Sequence, residues 1–182
     1  MLRNILPNDI RIVMEQPQFY DSDTIKKAYT AKKLLDLAYL ILDQVSTVYT
    51  QKGMIFPVIC SSTLLFLSKS KPASVTEIAR ALEHPHQTVA QHLKTLDKLG
   101  IVQKRPDKTD KRRSEYHLTE VGKVQAQRLD EYNLQAADVL KSLDEDIGAD
   151  LGKMLDTSIA ALAAHTMEDR FKKLFSLHRP HQ

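Results

Sequence analysis

The side chains in this chain best suited to chemistry are cations and amides rather than nucleophiles. Residues 103–113 hold Lys104, Arg105, Lys108, Lys111, Arg112 and Arg113 against Asp107 and Asp110, a local excess of four positive charges. Just upstream, His86, Gln87, Thr88, Gln91 and Lys94 fall in a segment with helical periodicity. Gln87 and Gln91 are four apart and so project from one strip of a helix. A glutamine can make a bidentate contact with adenine, and Ala90 is small enough to admit a thymine methyl. Lys94 and Lys98 lie further along, where phosphates would be. Asp110 and Arg112 are two apart. On an extended strand they point the same way and can pair, which would hold one guanidinium in place beside Arg113. Arginine suits a narrow minor groove, where negative potential is focused. Lys108, Lys111 and Arg113 are placed for phosphate contacts, which add affinity without sequence information. This is the chemistry of recognising a polyanion. No Gly-rich phosphate loop, nucleophile constellation or metal-ligand spacing is present, so an enzyme is not expected.

Positioning these groups requires a particular run of elements. Ser74, with Glu77 three residues on, reads as a capping box opening a short helix that buries Val75, Ile78, Ala79 and Leu82. Glu83 and His84 make a turn. Pro85 opens a second helix over 85–99, whose inner face is Val89, Leu93, Leu96 and Leu99, and Gly100 ends it. From Ile101 to Leu118 the period shifts towards two, with Pro106 to Asp110 as the turn between two strands. Thr119 reads as the N-cap of a helix running to about Leu143. Asp144 is expected to cap a last helix with Ile147, Leu151, Leu155, Ile159 and Leu162 on one face, and the basic tail to fray after Leu177. Upstream, residues 1–22 are irregular. Asp23 is the expected N-cap of one long helix reaching about Thr50, ended by Gly53, and its broad apolar surface asks for cover from a partner subunit. The helix over about 57–69 is the most apolar and should sit at the core centre, with Lys71-Pro72 closing it.

Composition sets the frame. The chain has 182 residues, 42% hydrophobic and 27% charged, with a formal net charge of +3. That is ordinary globular material, long enough to bury a core without staples. Residues 141–150 carry an excess of three negative charges, so charge is segregated along the chain. The single cysteine, Cys60, forms no internal disulfide and fits a reducing compartment. It lies in an apolar stretch without a nearby cation, so a buried structural thiol is favoured over a redox sensor. Neither a signal-peptide core nor a membrane-spanning stretch is visible, and the expectation is a soluble cytoplasmic protein. Three of the seven histidines, His84, His86 and His92, cluster near the second helix but lack metal-ligand spacing. No metal and no cofactor is expected.

Residues 53–122 resemble the winged helix-turn-helix core of the MarR family of transcription regulators. The resemblance rests on SVTEIARALE followed by TVAQHLKTLDKLGIVQKR. It rests more specifically on the wing motif Asp110-Lys111-Arg112, closed by Leu118-Thr119-Glu120-Val121-Gly122. The segment His84-Pro85-His86-Gln87 departs from the family's usual Ser-Pro-Ser type of helix start.

The resemblance implies a mainly α fold with a small β-hairpin wing. Residues 1–52 would form an N-terminal segment and dimerisation helix, 53–123 the DNA-binding core and 124–182 the C-terminal dimerisation helices. It implies a homodimer on double-stranded DNA, acting as a repressor at an inverted repeat. The recognition helix would enter the major groove through His86, Gln87, Thr88, Gln91 and Lys94. The wing would enter the minor groove with Arg112 at its tip, Asp110 orienting it, and Lys108, Lys111 and Arg113 beside it. Small aromatic acids are frequent ligands in the family. Tyr29, Lys33 and Tyr39 are candidates to line such a pocket and equally candidates for interface packing. The alternative is a winged helix used for protein contacts, without sequence-specific DNA binding.

Overall fold

The computed structural model describes residues 23–106 and 114–175. Helix α1 spans Asp23–Ala28 and α2 spans Thr30–Gln51, separated by a turn at Tyr29. Asp23 is therefore the first helical residue rather than a cap, and the expected single helix is two. A short 3-10 turn, Val58–Cys60, leads into α3, Ser61–Lys69. Pro57 precedes that turn with extended backbone (φ −67°, ψ 145°). Helices α4 (Val75–Ala81) and α5 (His86–Lys98) form the helix-turn-helix, followed by strands β1 (Val102–Pro106) and β2 (Ser114–Leu118). The chain then returns through α6 (Glu120–Ile147), α7 (Leu151–Ala164) and α8 (Met167–Phe175).

The core forms where these elements converge. Leu64, Ile78, Val89, Leu93, Leu96, Ile101 and Leu129 are fully enclosed. The most apolar stretch does lie at its centre, as its sequence predicts. Tyr49 at the end of α2 joins three elements. Its ring packs edge-on against Phe56 (5.5 Å) and Tyr132 of α6 (4.9 Å), and its hydroxyl meets Ser61 Oγ at 2.8 Å.

Gly53 follows α2 in the left-handed region (φ 70°), and its carbonyl accepts from Gln125 Nε2 at 3.3 Å and from Arg128 Nη1. Gln125 Oε1 in turn accepts from the Ile55 amide at 3.0 Å. The connection after α2 is thus pinned to the first half of α6 by buried amide chemistry that local patterning does not announce.

Two expectations about the C-terminal part are corrected. Helix α6 does not stop at Leu143 but continues to Ile147, and Gly148 ends it with a left-handed backbone (φ 67°). Asp144 therefore lies inside α6. The N-cap of α7 is Asp150, whose Oδ1 accepts from Lys153 N at 2.7 Å. Asp144 still serves α7 from across the turn, because its Oδ1 accepts from Leu151 N at 2.9 Å. Helix α7 also does not carry through to the tail. It breaks at His165, and Thr166 and Asp169 cap a separate α8 reciprocally, at 3.0 and 3.1 Å.

Neither α7 nor α8 buries a residue, and α2 buries only Tyr49. Leu35, Tyr39, Ile159 and Phe171 lie open on these helices, and Leu134 and Val139 on the second half of α6.

Candidate nucleic-acid interface

The helix-turn-helix is built by local rules. The Ser74 hydroxyl accepts from Glu77 N at 3.4 Å, and Glu77 Oε2 accepts from Ser74 N at 2.8 Å, completing the capping box. Helix α4 ends at Leu82, and Glu83 takes a positive φ of 52° so that the chain can turn. His84 N then bonds back to Ala79 O at 3.0 Å, and Pro85 stands at the N-cap of α5. Val89, Leu93 and Leu96 are 0% exposed, so the inner face of α5 is rigidly seated. The opposite face presents His86, Gln87, Gln91, Lys94 and Lys98 to solvent, with Thr88 and Ala90 half-buried at its margin. The sequence-predicted strip therefore exists as one continuous polar face on a fixed base.

The hairpin pairs Val102 with Leu118, Lys104 with Tyr116 and Pro106 with Ser114 in antiparallel register. Lys104 and Arg105 are exposed on β1. The expected alternation of buried and open residues is absent from β2, whose five residues are all half-buried. The reason is tertiary. The Tyr116 amide donates to Ala73 O at 2.9 Å, so the residue just before the α4 cap bridges to β2. The wing base is thus tied to the helix-turn-helix through main chain. The wing-tip residues Lys108, Asp110, Lys111, Arg112 and Arg113 lie outside the described residues.

The Leu118-Thr119-x-x-Gly122 segment has a structural task. Thr119 Oγ1 donates to Gly100 O at 2.6 Å and accepts from Gly122 N at 3.0 Å, while Thr119 N donates to Ile101 O at 3.0 Å. A Cβ on Gly122 would lie 2.1 Å from Ile101 O. The end of α5, the root of the wing and the start of α6 therefore meet at one point that only a glycine fits.

Residues 56–113 match the model of the MarR family. Over that segment the chain is similar to the MarR family, and its winged helix-turn-helix fold is shared with solved structures. Three crystal structures illustrate the shared fold. One is a MarR family transcription regulator at 19% identity and a TM-score of 0.56, with 80% of this chain and 97% of that chain covered. Another is the adhesin competence repressor AdcR from Streptococcus pyogenes, at 23% identity and 0.53, covering 74% and 96%. The third is the complex of S. aureus MepR with DNA, at 20% identity and 0.56, covering 70% and 96%. Among curated proteins, no relative matches the sequence.

Sequence reasoning misplaced one residue of this core and passed over others. His92 belongs not to the open cluster around the recognition helix but to its buried face, at 6% exposure. Its Nδ1 stands 3.0 Å from Thr63 Oγ1 of α3. Its position three residues after Val89, on the inner heptad face, was the available signal. Ser74, Thr76, His86, Lys104, Ser114 and Tyr116 line a cleft of about 250 Å³ between α4, α5 and the wing base. Tyr29, Lys33 and Tyr39 do not line this cleft; they stand exposed on the flanks of α1 and α2. Cys60 is 1% exposed, and burial pushes its thiol up to about 12, as a structural cysteine requires. Among the described residues no group of three or more potential ligands could hold a metal.

Proposed function

We propose that this protein is a sequence-specific DNA-binding transcription regulator that works as a homodimer and represses by occupying an inverted repeat. The observation that carries the reading is the recognition face of α5. Two glutamines and flanking cations stand on a helix whose other side is wholly enclosed, with a cationic hairpin rooted directly behind it. Such a helix can enter a major groove as a rigid body, with Gln87 and Gln91 towards base edges and Lys94 and Lys98 towards phosphates. Lys104 and Arg105 extend the cationic surface towards the wing, where Arg112 would reach the minor groove and Asp110 would orient it. MepR, which shares the fold, was crystallised on DNA.

The dimer follows from cover. Large apolar side chains stand exposed along α2, the second half of α6, α7 and α8, a surface of the kind that a partner covers. A second copy seated on these helices would place the two recognition helices about 34 Å apart, one helical turn. Residues 1–52 and 124–182 would then serve as dimerisation segments around a DNA-binding core at 53–123. A small aromatic ligand between Tyr29, Lys33 and Tyr39 would need that second copy to close its pocket. No helix among the described residues is long and apolar enough to cross a membrane. The reading therefore places the protein in the cytoplasm with the DNA it binds.

Selection of bound duplexes from a random pool, followed by a salt series on the winner, tests the reading. A palindromic consensus and a steep loss of affinity with salt are expected. Failure to enrich any sequence would favour a protein-contact module instead.

A further inference from the structure

Behind the recognition helix lies a pair of imidazoles that its DNA-facing side does not use. His92 projects from α5 into the core and bonds Thr63. His84 projects from the turn between α4 and α5, with its ring 6.4 Å from that of His92 and nearly perpendicular to it. His84 Nδ1 is fully enclosed and has no hydrogen-bond partner among the described residues.

An imidazolium carries N–H on both ring nitrogens, whereas a neutral imidazole carries only one. In this pose a protonated His84 must therefore bury an Nδ1–H with no acceptor, at the desolvation cost of an unmade bond. A protonated His92 could still donate from Nδ1 to Thr63, but its charge would sit in the core beside His84. We infer that the His84–His92 pair positions the recognition helix, and that proton uptake by the pair is coupled to release of DNA. In this pose an N–H on His84 Nδ1 has no acceptor, and giving it one requires the turn and the start of α5 to move. This rests on the reading of α5 as the recognition helix.

Among the described residues, no carboxylate forms an ion pair with either ring. From α3 the pair meets the neutral Thr63, and Lys69 lies far out on the surface, paired with Asp130. Cys60 on the 3-10 turn stays a neutral thiol. Arg80 and Glu83 are exposed, as are His86, Lys94, Asp97 and Lys98 on α5 and Lys104 and Arg105 on β1, while Glu77 is engaged with Ser74. Burial first, and the His84 charge second, hold the His92 imidazole below its ordinary value of 6.5. The sign follows from linkage. A group with a lowered folded value stabilises this pose above about pH 6.5 and loses that contribution as pH falls through the folded value.

The test uses the full chain and the tightest duplex recovered from a random pool at pH 8. For one excluded proton of ordinary histidine affinity, binding should weaken up to about tenfold on going to pH 5.5. His92→Asn keeps a partner for Thr63 without titrating, and His84→Phe keeps a ring without nitrogens. Each should flatten the profile. Affinity that rises with acid in the wild type, or an unchanged profile in both pair variants, would overturn the inference. A second arm needs no DNA. Ring resonances of His84 and His92 should titrate together with backbone amides of residues 82–90 in the free protein. Titration of the rings with those amides unmoved would equally overturn it. Absence of any enriched duplex would count against the DNA-binding reading, and the resonance arm would still decide the coupling.

Discussion

Gly122→Ala isolates the junction that roots the wing. In isolation the change should help, since alanine is favoured over glycine inside a helix by about 1 kcal/mol. The structure says the opposite will happen. The new Cβ would meet Ile101 O at 2.1 Å, Ile101 C at 3.1 Å and Leu118 Cδ2 at 3.2 Å. Relief needs roughly an ångström of movement between α6 and the main chain, and overpacking of that kind costs about 1–3 kcal/mol. Ile101 O cannot retreat freely, because it accepts from Thr119 N at 3.0 Å and from Thr119 Oγ1 at 3.2 Å. Losing these adds about 1–2 kcal/mol. The net expectation is a destabilisation of about 1–4 kcal/mol, read as a lowered denaturation midpoint at fixed protein concentration. Gly152→Ala is the matched control. Its Cβ would meet only Asp150 Oδ1, at an ordinary 3.6 Å, so the helix gain should survive and stability should rise slightly. If Gly122→Ala proves as stable as wild type, the close approach assigned to this motif is wrong.

Ser74→Ala removes the hydroxyl that caps α4 while keeping the main-chain bond to Glu77; a loss of about 1 kcal/mol is expected, seen as a melting temperature lower by about 2–4 °C. Cys60, with its thiol pushed up to about 12, should resist alkylation in the native protein at pH 7.5, since only about one molecule in thirty thousand carries the thiolate there. Rapid labelling or peroxide-dependent loss of DNA binding would contradict this. Arg112→Ala should weaken DNA binding by about 1–3 kcal/mol while leaving the dimer intact in sedimentation. Gln91→Ala should alter base preference at one position of each half-site, and a uniform loss across sequences would reduce Gln91 to a positioning role.

Much of the core was legible because its signals are local. A capping box needs only Ser74 and Glu77 three apart, and left-handed turns need only a glycine at 53 or 100. The inner face of α5 needs only apolar residues at helical steps. The polar strip from His86 to Lys94 was readable for the same reason, being the complement of that face. The end of α6 was not readable. Asp144 looks like a cap, but a carboxylate inside a helix can serve the next helix from across a turn. Which of two aspartates stands at the N-cap of α7 was settled by the backbone at Gly148.

What the sequence by itself determined, then, is the succession of helices and strands through the core, the cationic segment after α5 and the exposed face of α5. Each follows from interactions among residues three or four apart, or from charge alone. Only the tertiary structure decided that His92 is a core residue facing His84 and Thr63. It alone decided that Ala73 braces the wing, and that Gly122 is required by a carbonyl twenty-one residues upstream. These depend on which surfaces the packed helices bring together, and no local spacing encodes that.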